Sequence, residues 1–182
     1  MDLRFSSSAQ TEAPPLITPA GSARAWIIWA LLSTFGSGVI GLIIAAPLAM
    51  AGGHTTFAGA IYNAFHFVCH QRPERSFHIA GYQFAVCARC TGLYSGFALA
   101  TVFYPLTRSL KRAETPARIW LFLSAVPLLV DFGLGYFGVW ENTFLSRFVT
   151  GALLSATAVF YIIPGLMQLA NRQRVQDPVA SK

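Results

Sequence analysis

From Ala25 to about Met50 the chain carries nothing more polar than Ser33, Thr34 and Ser37. About 25 helical residues rise roughly 37 Å, more than the roughly 30 Å of a bilayer's hydrocarbon core. A lone segment in lipid satisfies its backbone only as a helix, so this run dictates a membrane-spanning helix. Ala49-Met50-Ala51 resembles a signal-peptidase site, but the run exceeds the 7 to 15 residues usual for a secretory apolar region. Three further apolar runs follow, over about Val86 to Leu106, Ala117 to Gly138 and Ser146 to Leu169. Only 11% of residues are charged and the mean hydropathy is +0.52, which places the whole chain outside the soluble range. The net charge of +6 does not mark a nucleic-acid partner, because the basic residues flank apolar runs as they do beside membrane spans.

The expected fold is an all-α integral membrane protein, with four transmembrane helices plus a short re-entrant or interfacial helix before the second span. That short segment, Thr55 to His70, is too short and too polar at its end to cross comfortably; Thr55 or Thr56 is placed to cap it, and Pro73 closes it. Residues 1–23, rich in Ser, Thr, Ala and Pro, read as a disordered tail, residues 24–170 as one membrane domain, and residues 171–182 as a polar tail. With four spans and both termini cytoplasmic, Arg4, Arg24, Arg108, Lys111, Arg112, Arg118, Arg172, Arg174 and Lys182 lie inside. Arg72, Arg75, Arg89 and Arg147 lie outside. This is the asymmetry of the positive-inside rule, and it implies a multi-pass protein of the inner (plasma) membrane.

The chemistry concentrates in one stretch, His66 to Tyr94, which holds all three cysteines and three of the four histidines. Continued as a helix, His66, Cys69 and His70 would share one face. Cys87 and Cys90 stand in a Cys-x2-Cys pair at the top of the second span. Two such elements facing each other are a common way to build a tetrahedral Cys/His zinc site, here Cys69, Cys87 and Cys90 with His70 or His66. Two other readings stay open: a membrane thiol-disulfide oxidoreductase with a redox-active Cys87/Cys90 pair and Cys69 as the resolving thiol, and a non-catalytic membrane assembly or transport component in which the three cysteines are small apolar packing residues.

Asp131 lies inside the third apolar run, where an unpaired carboxylate costs at least about 2.5 kcal/mol, so it should face the bundle interior against an arginine. Arg75, Arg89 and Arg147 share its side of the membrane. They form either a pair that locks the helices or a polar cavity open outward to an anionic lipid or another small anionic ligand. If the protein is an enzyme, Asp131 and Glu74 are the candidate acid–base groups. Besides the bilayer, the expected partner is a second helix packed on Gly92 and Gly96, whose spacing also suits an oligomer.

Cys69-His70-Gln71, Pro73-Glu74-Arg75-Ser76-Phe77, Gly81, Cys87-Ala88-Arg89-Cys90-Thr91-Gly92, Asp131 and Arg147-x-x-Thr150-Gly151 together resemble an uncharacterised family of small prokaryotic integral-membrane proteins, over about residues 57 to 165. The resemblance implies a multi-span inner-membrane protein and supplies no activity. The Cys-x2-Cys layout also looks like that of quinone-coupled oxidoreductases related to vitamin K epoxide reductase, against which stand Arg89 between the cysteines and the lack of a second Cys pair.

Overall fold

The computed structural model describes residues 19–110 and 114–176. Five helices carry the chain: α1 (Pro19–Ala51), α2 (Thr55–His66), α3 (Ala88–Thr107), α4 (Ile119–Tyr136) and α5 (Phe144–Gln176). Of the two expected tails, residues 19–23 belong to α1 and residues 171–176 to α5; the remainder lies outside the described residues.

Three helices combine the length and apolarity to cross a membrane among the described residues: α1 from Ala23, α4, and α5 as far as Ala170. Their apolar surface faces outward. Leu31 and Phe35 on α1 are 65% and 66% exposed, and Phe122 and Leu129 on α4 are 68% and 63%. A water-soluble chain does not leave apolar surface of this extent uncovered, whereas lipid covers it at no cost. The helix expected as the second span forms over Ala88–Thr107, long enough at about 30 Å, but Arg89, Thr91, Ser95 and Thr101 dilute its apolarity and it is not one of the three. It is instead the enclosed element, with seven buried residues, packed between α1 and most extensively α5.

That packing rests on small residues. A Cβ on Gly92 would collide with the carbonyl of Phe148, and one on Gly96 with the carbonyl of Ala152. From the other side, a Cβ on Gly151 would come within 2.5 Å of the Arg89 carbonyl. The glycine face of α3 is therefore filled by α5 of the same chain. Farther along, Tyr104 packs with Val159, Ile163 and Met167, and Trp29 Nε1 of α1 donates to the Thr101 carbonyl at 2.8 Å.

Helix α2 is too short to cross, at about 18 Å, and lies against the end of α1 through Ala46, Ile61 and Phe65. Its first turn is not capped by a threonine side chain: His54 occupies the cap position, its carbonyl takes the Ala58 N–H at 3.1 Å, and no side chain caps it. After α2 come a single 3-10 turn, Pro73–Arg75, and a two-stranded antiparallel hairpin, β1 (His78–Ile79) and β2 (Tyr82–Gln83), absent from the sequence reading. Ile79 pairs with Tyr82 and His78 with Gln83 around Ala80-Gly81, both at positive φ (52° and 83°). Such a two-residue turn needs the left-handed region twice, which Gly81 tolerates and Ala80 accepts under tertiary constraint. The hairpin brings Phe77 and Phe84 together, and Phe77 in turn packs on Phe144 and Phe148 of α5.

Candidate metal centre and polar cluster

Cys69, Cys87 and Cys90 come together, their Sγ atoms all within 4.8 Å of one another. All three are free thiols. Two segments meet to place them. Cys69 follows the frayed end of α2, where its N–H bonds the Phe65 carbonyl at 3.0 Å. Cys87 is the N-cap residue of α3, and Cys90 lies in its first turn. The trio sits in an apolar pocket made by Val39, Ile40 and Ile43 of α1 with Phe65, Val86 and Tyr94.

Within that pocket the sulfurs meet positive ends of peptide dipoles. Cys69 Sγ accepts the N–H of Cys87 at 3.2 Å and that of Gln71 at 3.5 Å. Cys87 and Cys90 stand at the start of α3, where unpaired N–H groups favour negative charge. The Cys87 thiol lies just ahead of the helix, beside those of Cys69 and Cys90. The thiolate is the form of a cysteine that ligates metals and attacks disulfides.

The histidines do not join the sulfurs. Helix α2 ends at His66, so the shared face expected for His66, Cys69 and His70 does not exist: Cys69 and His70 lie in the following loop, and both histidines are exposed. Among the described residues the cluster is made of cysteines alone. Cys69 turns inward at 6% exposure.

Gln71 organises this junction, a role the sequence reading passed over although Gln71 closes its Cys-His-Gln piece. It takes φ +49°, and its Nε2 donates to the carbonyls of Tyr62 at 2.7 Å and Ala85 at 2.8 Å. Its own carbonyl accepts from Gln83 Nε2 at 3.2 Å. One side chain thus ties α2, the Cys69 loop and the strand that leads to Cys87.

Next to the sulfurs lies the polar cluster. Arg89, between Cys87 and Cys90, reaches Asp131 of α4 with Nη2 to Oδ2 at 2.5 Å, while its guanidinium lies 5.4 Å from the centre of the Phe132 ring. Asn142 donates to the Asp131 carbonyl, and Ser146 lies in reach of the carboxylate. Arg147 on α5 feels the charges of Arg75, Arg89, Asp131 and Cys87. Glu74 is exposed and pairs with Arg72 at 3.8 Å, not with the Arg89–Asp131 pair.

Residues 69–161 match the model of a family described as "Predicted membrane protein (DUF2085)". The chain is also 38% identical over 113 residues to an uncharacterized protein of Methanocaldococcus jannaschii, covering 62% of this chain and 72% of that protein. It is 34% identical over 87 residues to an uncharacterized protein of Methanothermobacter thermautotrophicus, covering 48% and 77% respectively. No solved structure matches. The likeness drawn from the Cys-His-Gln and Cys-Ala-Arg-Cys-Thr-Gly pieces is thereby borne out.

Proposed function

This chain belongs to that family of membrane proteins of unknown function, and from this premise we propose a four-span plasma-membrane protein that holds a zinc ion on three thiolates at its outer face. The observation that carries the proposal is the convergence of three free sulfurs within 4.8 Å, one of them accepting two backbone N–H bonds. Zinc binds thiolates at about 2.3 Å, which puts tetrahedral sulfurs roughly 3.8 Å apart, within the 4.8 Å limit that these three sulfurs meet. Bonds from N–H groups stabilise the thiolates, and the apolar pocket keeps competing water away.

Three protein ligands leave a fourth position for water or a substrate atom, as in catalytic rather than closed structural zinc sites. The neighbouring Asp131–Arg89 pair then lines the approach to that position. Four spans follow if α3, shielded by α1 and α5, crosses with them; both termini then lie inside and the cysteines outside.

A second reading is favoured by the N-cap position of Cys87, whose thiolate is also the nucleophile of a thiol–disulfide oxidoreductase. Elemental analysis of gently purified protein, with thiol counting before and after chelation, decides between the two. A zinc centre gives close to one metal per chain, lost in Cys87→Ser, and thiols that resist alkylation until a chelator is added. A redox centre gives little metal and one disulfide that forms and breaks with oxidant and reductant, leaving one thiol free. Metal-free protein with three freely alkylated thiols rejects both.

A further inference from the structure

Among the described residues Arg89 is paired with a carboxylate, whereas Arg75 and Arg147 are not. The charged groups felt at Arg147 are two more arginines, one carboxylate and the Cys87 thiol. Glu74 does not redress the balance, because it is exposed and turned to Arg72. Arg89 and Arg147 bring two guanidinium groups against one carboxylate where α3, α4 and α5 meet, and Arg75 adds a third, exposed one from the turn that precedes the hairpin. Like charges held together in a partly desolvated place cost free energy, and a pair that merely locked α3 to α4 would need Arg89 alone.

Two buried donors point the same way. Nε of Arg89 and Nε of Arg147 are both buried and without a hydrogen-bond partner, in proteins where nearly every such group is satisfied. We propose that Arg75, Arg89 and Arg147 form a binding site for a phosphate group beside Cys87, with Asp131 fixing the Arg89 fork in place. Guanidinium forks match tetrahedral oxyanions with paired N–H bonds, and a phosphate brings one to two negative charges to meet the surplus. The same chemistry fits a lipid headgroup and a water-borne phosphate. Arg89 is also part of the backbone that sets Cys87 and Cys90, so a phosphate held here lies next to the sulfurs. The site itself needs only the arginines and does not depend on the metal.

The test uses the full chain in dodecyl maltoside, following its unfolding midpoint. One series adds inorganic phosphate in place of chloride at fixed ionic strength; the other adds phosphatidylglycerol or, as control, phosphatidylcholine to the micelles. The midpoint is expected to rise with phosphate or phosphatidylglycerol and not with the controls. Arg75→Gln and Arg147→Gln should each weaken the response at least about tenfold, while Arg118→Gln, at the start of α4, should leave it unchanged. Arg147→Lys keeps the charge without the fork and should fold yet bind more weakly, which separates binding from folding. A response to phosphatidylglycerol alone assigns a lipid headgroup, and one to inorganic phosphate assigns a soluble ligand. No response to either, or an undiminished response in both Arg75→Gln and Arg147→Lys, overturns the site.

Discussion

Arg89 and Asp131 meet at 2.5 Å between α3 and α4, 42 positions apart in the chain, with only 21% and 10% of their side chains exposed. Removing one partner of so shielded a pair strands the other charge, at a cost of about 3 kcal/mol, whereas removing both releases that penalty. Arg89→Gln and Asp131→Asn should therefore each lower the unfolding midpoint in detergent, and the double variant should lose clearly less than their sum. Additive losses would show that the two charges do not depend on each other.

Gln71 makes a sharper prediction about the junction under the cysteines. Its amide gives two hydrogens to two carbonyls, so Gln71→Ala leaves both acceptors short at about 2 kcal/mol. Gln71→Glu keeps the shape but turns a carboxylate oxygen toward those carbonyls, and should be the more damaging change. Both variants should speed alkylation of Cys69, which is now buried at 6% exposure. An alkylation rate unchanged from the parent protein would mean that Gln71 does not hold the Cys69 loop.

The helices were legible in the sequence because length and apolarity alone decide where a chain can enter lipid; α4, expected over 117–138, forms over Ile119–Tyr136. The polar site was legible only as an inventory. Helical periodicity put His66 beside Cys69, but α2 stops at His66, where Tyr62 of its last turns bonds Gln71 and Gln83 from beyond the helix, contacts that no local pattern reveals. Likewise Asp131 inside an apolar run demanded an arginine, yet Arg75, Arg89 and Arg147 were equivalent until the glycines of α3 and α5 set which face met which. The hairpin was missed because Ala80-Gly81 lacks the Asn-Gly or Asp-Gly signal of such turns.

Those glycines are testable one by one. Gly92→Ala drives a methyl group into the Phe148 carbonyl, so α3 and α5 must part at a cost of about 2 kcal/mol or more. Gly38→Ala meets nothing within 4 Å and should be neutral or raise stability by up to about 1 kcal/mol, through helix propensity alone. Unfolding midpoints of the two variants should fall on opposite sides of, or at least far apart from, the parent value. Equal effects would mean that the α3–α5 contact is looser than the structure has it.

The number of crossings decides which side of the membrane the sulfurs face. If only α1, α4 and α5 cross, the count is odd and the termini lie on opposite sides; if α3 crosses with them, both lie on the same side. The basic residues favour the second case, since Arg108, Lys111, Arg112 and Arg118 between α3 and α4 then join the termini in the cytoplasm. Paired reporters, one active only inside and one only outside, fused after Lys182, within residues 108–118 and at Ala80-Gly81, should read inside, inside and outside. A C-terminus that reads outside together with a hairpin that also reads outside would remove α3 from the spans. A hairpin that reads inside would place Cys69, Cys87 and Cys90 on the cytoplasmic face, where glutathione and thioredoxin keep thiols reduced, and would leave the oxidoreductase reading without its oxidising compartment.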